Sequence, residues 1–485
     1  MNNGLDRFGP AGESAAGGFI AVAGTVIGLS PDKTIGSPAN LESNFMVRSI
    51  VFASLSSVLL AVPAVAQTIE TQVLTAADTK PWRTVQLPNG KPVTFTLGVG
   101  SGAARHRNDP PNVVFTIGDR GPNMTCGEAP AVFGDELIQA CRKLSNGRIY
   151  PTPDYTPSIY KLELDRAKGT FTVVDTVPLR KAKSGTPITG LLNPQTKASK
   201  DTGVDVTGKV LPDDVDNVDL EGIVRLTDGS YWIGEEMGPS IAHVSADGKI
   251  IERHVPANAA DDYKTAEAKI VADLPAILSK RQGNRGIEGI AISPDEAFLY
   301  FMVQNPLANP DAKAYQAARN TRFFKFDRNA GKVVGEWIYQ LADPQSFGFD
   351  PSSRQSDPRI SEILALGLDR VLVLERTDKT TKLFEITLDG ATNILGSKWD
   401  EVATSPSLEQ QNDLGPLGVT PVTKTLRFDT FKEGKGAPEK IEGMALLEDG
   451  SLMLINDNDF GIRGDETKVV IVKGAVTADP AIWKK

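Results

Sequence analysis

After Gln67 the chain alternates short apolar runs with turn-forming residues, and the runs have the period of strands. In Asp216–Val244, DNVDLEGIVRLTDGSYWIGEEMGPSIAHV, the runs Ile223-Val224-Arg225-Leu226 and Tyr231-Trp232-Ile233 bracket an Asp228-Gly229 turn suited to a hairpin that needs positive φ. The layout returns in Asn284–Pro306 and Glu439–Gly461, each opening on a Glu-Gly step. Three copies of one unit predict a repeat fold. A tight hairpin brings the chain back to the end where it began, which makes neighbours of Glu221 and Glu235, of Glu288 and Gln304, and of Glu442 and Asp457. Set radially around an axis, such hairpins deliver oxygen-bearing side chains to one central mouth. The predicted class is therefore all-β, a β-propeller of about five to seven blades with loop and short helix insertions.

The rest of the chain fits the same scheme. Ser158–Leu179 and Thr321–Leu341 read as hairpins, Ile360–Leu388 holds two or three strands, and Val469–Val476 (VVIVKGAV) is placed to close the ring on an early blade. Two segments differ. Lys181–Asp214 lacks periodicity and reads as a long surface loop, an active-site wall or a decoration. Asp261–Arg281 sets Ile270, Leu274, Ile277 and Leu278 at helical spacing, which predicts a short helix packed on the rim.

Composition adds size and compartment. The 485 residues are 40% hydrophobic and 23% charged, as in an ordinary globular chain with length for a large core. Net charge is -9 with no sustained basic run, so no nucleic-acid partner is expected. Met46–Gln67 (MVRSIVFASLSSVLLAVPAVAQ) has one Arg, a short apolar stretch and Ala64-Val65-Ala66 before Gln67. This is the layout of a secretory signal over 46–66 cleaved after Ala66, the alternative being an uncleaved anchor. On the first reading no membrane span remains after cleavage, residues 1–45 are a mis-assigned start or a disordered extension, and 67–485 are the propeller. The two cysteines, Cys126 and Cys141, then favour a disulfide over two buried thiols. Such a bridge contributes roughly 3 kcal/mol in the chain-entropy model. His106, His243 and His254 are scattered along the chain, which argues against a histidine zinc site.

The candidate chemistry lies in acids at strand ends. Asp119, Glu221, Glu235, Glu288, Glu442 and Asp457 are the expected metal ligands, with Glu236, Glu375 and Asp459 around the same funnel. Two carboxylates about 5 Å apart repel by roughly 3 kcal/mol at an effective dielectric of 20, so a cluster needs cations, arginines or raised pKa values. Oxygen-only ligands select a hard ion, Ca²⁺ before Mg²⁺. Arg120, Arg285 and Arg376 stand beside these acids, and a guanidinium matches phosphate bidentately. The expected catalytic set is Glu288 and Glu236 as proton acceptors with those three arginines, acting on a small anionic phosphorylated substrate in a monomer. The same acids read equally well, one at a time, as hairpin punctuation and as ion pairs that tie blades together.

DRGPN (119–123), GEEMGPSI (234–241), NRGIEGIAISPD (284–295), LVLER (372–376) and KIEGMALLEDGSLMLINDNDFG (440–461) resemble the signature blocks of the phytase-like, or "esterase-like activity of phytase", propeller family, in the family's order. The resemblance implies hydrolysis of phosphoesters or other esters, and related phosphatase propellers use calcium-centred sites. The Glu235-Glu236 pair departs from the Asp-Glu that the family commonly carries before Gly-Pro. A metal-dependent lactonase or carboxylesterase, and a non-catalytic calcium-dependent binding propeller, remain open as alternatives, because one fold hosts all of these.

Overall fold

The computed structural model describes residues 68–78, 81–141, 144, 146–193 and 201–484. The expected leader over 46–66 and the stretch 1–45 lie outside the described residues. The described chain is mostly β with a few short helices, and its strands fall into radial groups that run inside to outside in chain order. The first group is Gly102–Ala104, Val113–Ile117, Ser158–Asp165 and Thr170–Pro178. The second is Leu220–Arg225, Tyr231–Glu235, Ser240–Val244 and Ile250–Pro256, and the third Ile287–Ile292, Phe298–Val303, Asn320–Asp327 and Lys332–Gln340. The fourth is Arg359–Gly367, Arg370–Arg376, Thr381–Thr387 and Thr423–Asp429. The last is Ile441–Leu446, Leu452–Asn456 and Lys468–Lys473, completed by Glu70–Ala76, which pairs antiparallel with Lys468–Lys473. The C-terminal strand thus closes on the start of the described chain. Each inner strand packs on the inner strand of the next group, and the last on the first, which gives a propeller-like ring.

Apolar runs such as Phe298–Val303 (FLYFMV) are buried on both faces because each sheet is sandwiched between two others. Leu299, Phe301 and Val303 join the core shared with the second group, while Tyr300 and Met302 join the core shared with the fourth. Equivalent cores fill the remaining gaps between groups. Each fully buried large apolar side chain contributes about 1.5–3 kcal/mol, so the inter-sheet layers hold the ring together.

The Glu-Gly step proves to be a β-bulge. Pairing skips from Leu220 to Gly222, from Ile287 to Gly289 and from Ile441 to Gly443, so Glu221, Glu288 and Glu442 are the extra residues, re-aimed out of the ladder. The fourth group has the same bulge without the sequence signature: pairing skips from Ile360 to Glu362 and leaves out Ser361. The glycines let neighbouring inner strands meet, since a Cβ on Gly222 would press on the Glu288 carbonyl and Ile290 N. In the fourth group Glu362 replaces that glycine, and its fully buried carboxylate accepts hydrogen bonds from Ala103 N at 3.3 Å and Ile363 N at 3.0 Å.

The two ends of the ring differ. Away from the bulges the connections include tight turns with Gly229 (φ +86°) and Gly450 (φ +79°) at their tips. At the bulge end they lengthen, as in 118–157, 179–219, 257–286, 304–319 and 341–358. The segment 118–157 folds into a cap in which Met124–Thr125, Gly147–Ile149 and Thr202–Val204 form a small sheet. The Cys126–Cys141 disulfide ties this cap, which packs on Phe460. The helix expected over 261–281 does not form: Lys269–Leu274 is a fifth strand, parallel to Ile250–Pro256, between 3₁₀ turns at Ala260–Tyr263 and Ala276–Lys280. Pro275 lacks the N–H that a helix would need there, and Ile270 and Leu274 pack at the sheet edge.

Candidate active site

Three tiers of side chains surround the ring axis at the bulge end, and strand register generates each one. The bulged residues are the first tier: Glu221, Glu288, Ser361 and Glu442. The second lies at the end of the returning strand or just past it, at Glu236, Gln304, Arg376 and Asp457, with Asp119 in the corresponding place of the first group. The third stands two residues before each bulge, at Asp219, Gly286, Arg359 and Lys440. Backbone bonds repeat the equivalence, with Glu236 N to Asp219 O at 3.2 Å, Gln304 N to Gly286 O at 2.8 Å and Asp457 N to Lys440 O at 3.0 Å. Gly286 has to be glycine because a Cβ there would overlap the Glu236 carbonyl.

All residues of these tiers but Asp219, Gly286 and Ser361 line one cavity of about 220 Å³, walled also by Asn123, Met124 and Glu128 of the cap. Acid concentrates on the side of the first three groups. Carboxylate oxygens of Asp119, Asp219 and Glu221 lie within 4.8 Å of one another, as do those of Glu221, Glu236 and Glu288, so Glu221 belongs to both triplets. Burial, reinforced by Glu288 and Asp119, pushes Glu221 well above the ordinary carboxylate range. Burial and Glu236 do the same to Glu288, and burial and Asp219 to Asp119. Among the described residues, Glu236 Oε1, Glu288 Oε2 and Asp219 Oδ1 are buried without a hydrogen-bond partner. Orphaned, oxygen-only donors at this spacing fit a hard divalent cation.

Base concentrates on the side of the fourth and fifth groups. Arg376 donates to Glu442 Oε1 and, through Nε, to Ser361 Oγ at 2.9 Å. Lys440 Nζ bonds Asp457 at 2.9 Å and Asp459 at 2.6 Å. Burial raises Asp457, but Lys440 and the hydrogen bonds with Asp459 together hold that carboxyl below its usual range, whereas burial and the nearby Asp457 push Asp459 up to about 7. Arg285 Nη1 lies 3.7 Å from Glu236 Oε1. The lining also stores backbone strain, with Asn284, Lys440, Asp459 and Phe460 all at φ between +47° and +55°. Non-glycine residues held in this region cost of order 1 kcal/mol or more each and cluster at functional sites.

The structure therefore brings together Asp119, Glu221, Glu236, Glu288, Glu442, Asp457 and the arginines 120, 285 and 376. It does not bring in Glu235 or Glu375. Neighbours on a strand point to opposite faces, so Glu235 and Glu236 cannot share the mouth. Glu235 faces away, where it is fully buried and accepts from Arg253 Nη2 at 3.0 Å, Asn193 Nδ2 at 2.8 Å and Gly238 N. Its expected metal role is corrected to a structural ion pair. Glu375 likewise turns from Arg376 toward Tyr339 Oη and Lys424. Arg120 lines the cavity but is already bonded to Asp219 at 2.8 Å and to Asn284 Oδ1 at 2.6 Å. The sequence reading missed Asp219, Arg359 and Lys440, although each stands two residues before a bulge.

A family model described as "Phytase-like: Esterase-like activity of phytase" matches residues 142–460. The chain belongs to this family. An uncharacterized secreted protein of Arthroderma benhamiae is 27% identical over 188 residues, 35% of this chain and 36% of that protein. The chain thus matches about a third of that relative's length. Among solved structures, a calcium-binding protein, regucalcin, from Agrobacterium tumefaciens is similar at 11% identity, with 82% of this chain and 96% of that one covered and a TM-score of 0.31. A luciferin-regenerating enzyme is similar at 10% identity, with 78% and 92% covered and a TM-score of 0.30. Likenesses at that level carry no weight beside the sheet topology of this phytase-like chain.

Proposed function

We propose that the protein is an exported, calcium-dependent phosphoesterase that works as a monomer, with its centre at the mouth of a five-bladed propeller. One observation carries this reading: two carboxylate triplets sharing Glu221, with orphaned buried oxygens, face an arginine-bearing wall across one cavity. Asp119, Asp219, Glu221, Glu236 and Glu288 would hold the ion. The chemistry a hard cation supplies there is Lewis acidity toward a phosphoryl group and toward water. The chain's own residues do the rest. Arg285 and Arg376 orient phosphoryl oxygens, Glu236 or Glu288 takes the proton of the attacking water, and the cap with Met124 limits solvent access. The disulfide and the secreted relative are consistent with export.

The test compares phosphomonoester, phosphodiester, phytate and carboxylester substrates with calcium and with chelator. Phosphate release lost with chelator and in Glu288→Gln supports the proposal. Cleavage of the carboxylester alone replaces it with a carboxylesterase or lactonase, and tight calcium binding without turnover replaces it with a binding propeller.

A further inference from the structure

We propose that Arg359 is the specificity-determining residue of this mouth, selecting phosphoryl groups that carry two negative charges over singly charged and neutral esters; this rests on the phosphoesterase reading. Arg359 stands in the tier of Asp219 and Lys440, two residues before the bulged Ser361, and lines the same cavity. Its side chain is 15% exposed. Three cations converge on this side of the mouth, Arg359, Arg376 and Lys440, and they differ in how fully they are neutralised. Arg376 is bonded to the buried Glu442 and Lys440 to both Asp457 and Asp459. Arg359 has one carboxylate partner, Asp378, whose side chain is 74% exposed and whose charge water screens. Burial, then Arg376, then Arg285 hold the Arg359 guanidinium below its ordinary value, which marks a locally electropositive spot.

A buried guanidinium beside like charges gains most from an incoming anion, and its planar fork bonds two phosphoryl oxygens at once. Opposite it, the Glu221-centred triplets repel a bare anion unless a cation is present. The substrate's charge is therefore read at one wall, away from the Glu221-centred triplets. A dianionic monoester gains more from Arg359 than a monoanionic diester, and a neutral ester gains least.

The experiment measures kcat/KM for p-nitrophenyl phosphate, bis(p-nitrophenyl) phosphate and p-nitrophenyl acetate in the wild type, Arg359→Gln and Arg359→Lys, with calorimetric binding of inorganic phosphate to each. Losing a charge-assisted contact costs a factor of about 10–100, so Arg359→Gln is expected to lower monoester kcat/KM by that factor, mainly through KM, and to lower the diester less. Phosphate affinity is expected to fall in parallel and to recover in part in Arg359→Lys. Equal losses on all three substrates, or phosphate affinity unchanged in Arg359→Gln, overturn the assignment. If the wild type turns over no phosphoester while its phosphate binding still depends on Arg359, the phosphoesterase reading fails and the anion site stands.

Discussion

Two nests of buried charge in this molecule look alike in composition and differ in pairing. Beside the third group, Arg322 donates to Glu409 Oε1 from Nε at 3.0 Å and Nη2 at 2.8 Å, to Glu336 Oε1, and to Trp399 O at 3.0 Å. All three charged residues are at most 1% exposed. Among the described residues, the ion pairs of Asp119, Asp219, Glu221, Glu236 and Glu288 at the mouth are those with Arg120 and the more distant Arg285. Burial pushes Glu336 up to about 7 despite Arg322, yet one central guanidinium still organises its nest. The mouth acids lack such a centre. Both nests keep buried oxygens without a hydrogen-bond partner, Glu336 Oε2 and Glu409 Oε2 in the first, so the central guanidinium sets them apart, and neither acid count nor orphaned oxygens do.

The largest contrast should come from removing a charge in each nest. Arg322→Leu, which strands two buried carboxylates, is expected to cost about 3–5 kcal/mol of unfolding free energy in denaturant titrations. Glu288→Gln, measured with chelator, is expected to leave stability unchanged or raised, because it removes a repelling charge. A Glu288→Gln loss as large as that of Arg322→Leu would erase the distinction.

Calcium gives the next effect. An ion that binds only the folded state stabilises by about 2.7 kcal/mol at a hundred times its dissociation constant, so thermal unfolding should shift upward with calcium. Glu221→Gln, which touches both triplets, should abolish the shift, whereas Glu235→Gln should lower the melting temperature while leaving the shift intact.

The pH dependence is smaller and has a definite sign. Glu221, Glu288 and Asp119 are raised in the folded state above the ordinary carboxyl value of about 4. The folded state therefore keeps protons that the unfolded chain has lost, and stability present below about pH 4 is lost as pH rises through the folded values. With chelator the melting temperature should fall as pH rises above about 4, and calcium should flatten that fall because it replaces the retained protons. Least of all, Asp378→Asn should change stability by under about 0.5 kcal/mol, since the Asp378 end of its ion pair with Arg359 is exposed to water.

Much of this was legible in the sequence because the bulge has a cheap signature. Glu-Gly at 221–222, 288–289 and 442–443 marked the axis, and the hairpins marked the strands. The bulge at Ser361-Glu362 carries neither half of that signature, so Arg359 in the basic wall that it positions stayed hidden. Glu235 and Glu236 were both assigned to the mouth because a hairpin argument fixes the end of a strand and not the face of each residue; the ladder pairs Glu235 with Leu220 and leaves Glu236 free to turn inward. Asp219, Arg359 and Lys440 became visible only once register aligned the groups. The Asp261–Arg281 segment failed for another reason, since Pro275 and a sheet edge outweighed an apolar spacing that a strand and a turn can also satisfy.

The pairing of Glu70–Thr75 with Lys468–Lys473 stitches the two extremes of the described chain into one seam. Every other group is assembled from contiguous sequence, while the last takes its outermost strand from nearly 400 residues upstream, and that strand waits for its partner. The mouth therefore cannot reach its final shape until Lys468–Lys473 has been made. A product cut short of that strand would carry an open ring and an exposed apolar edge.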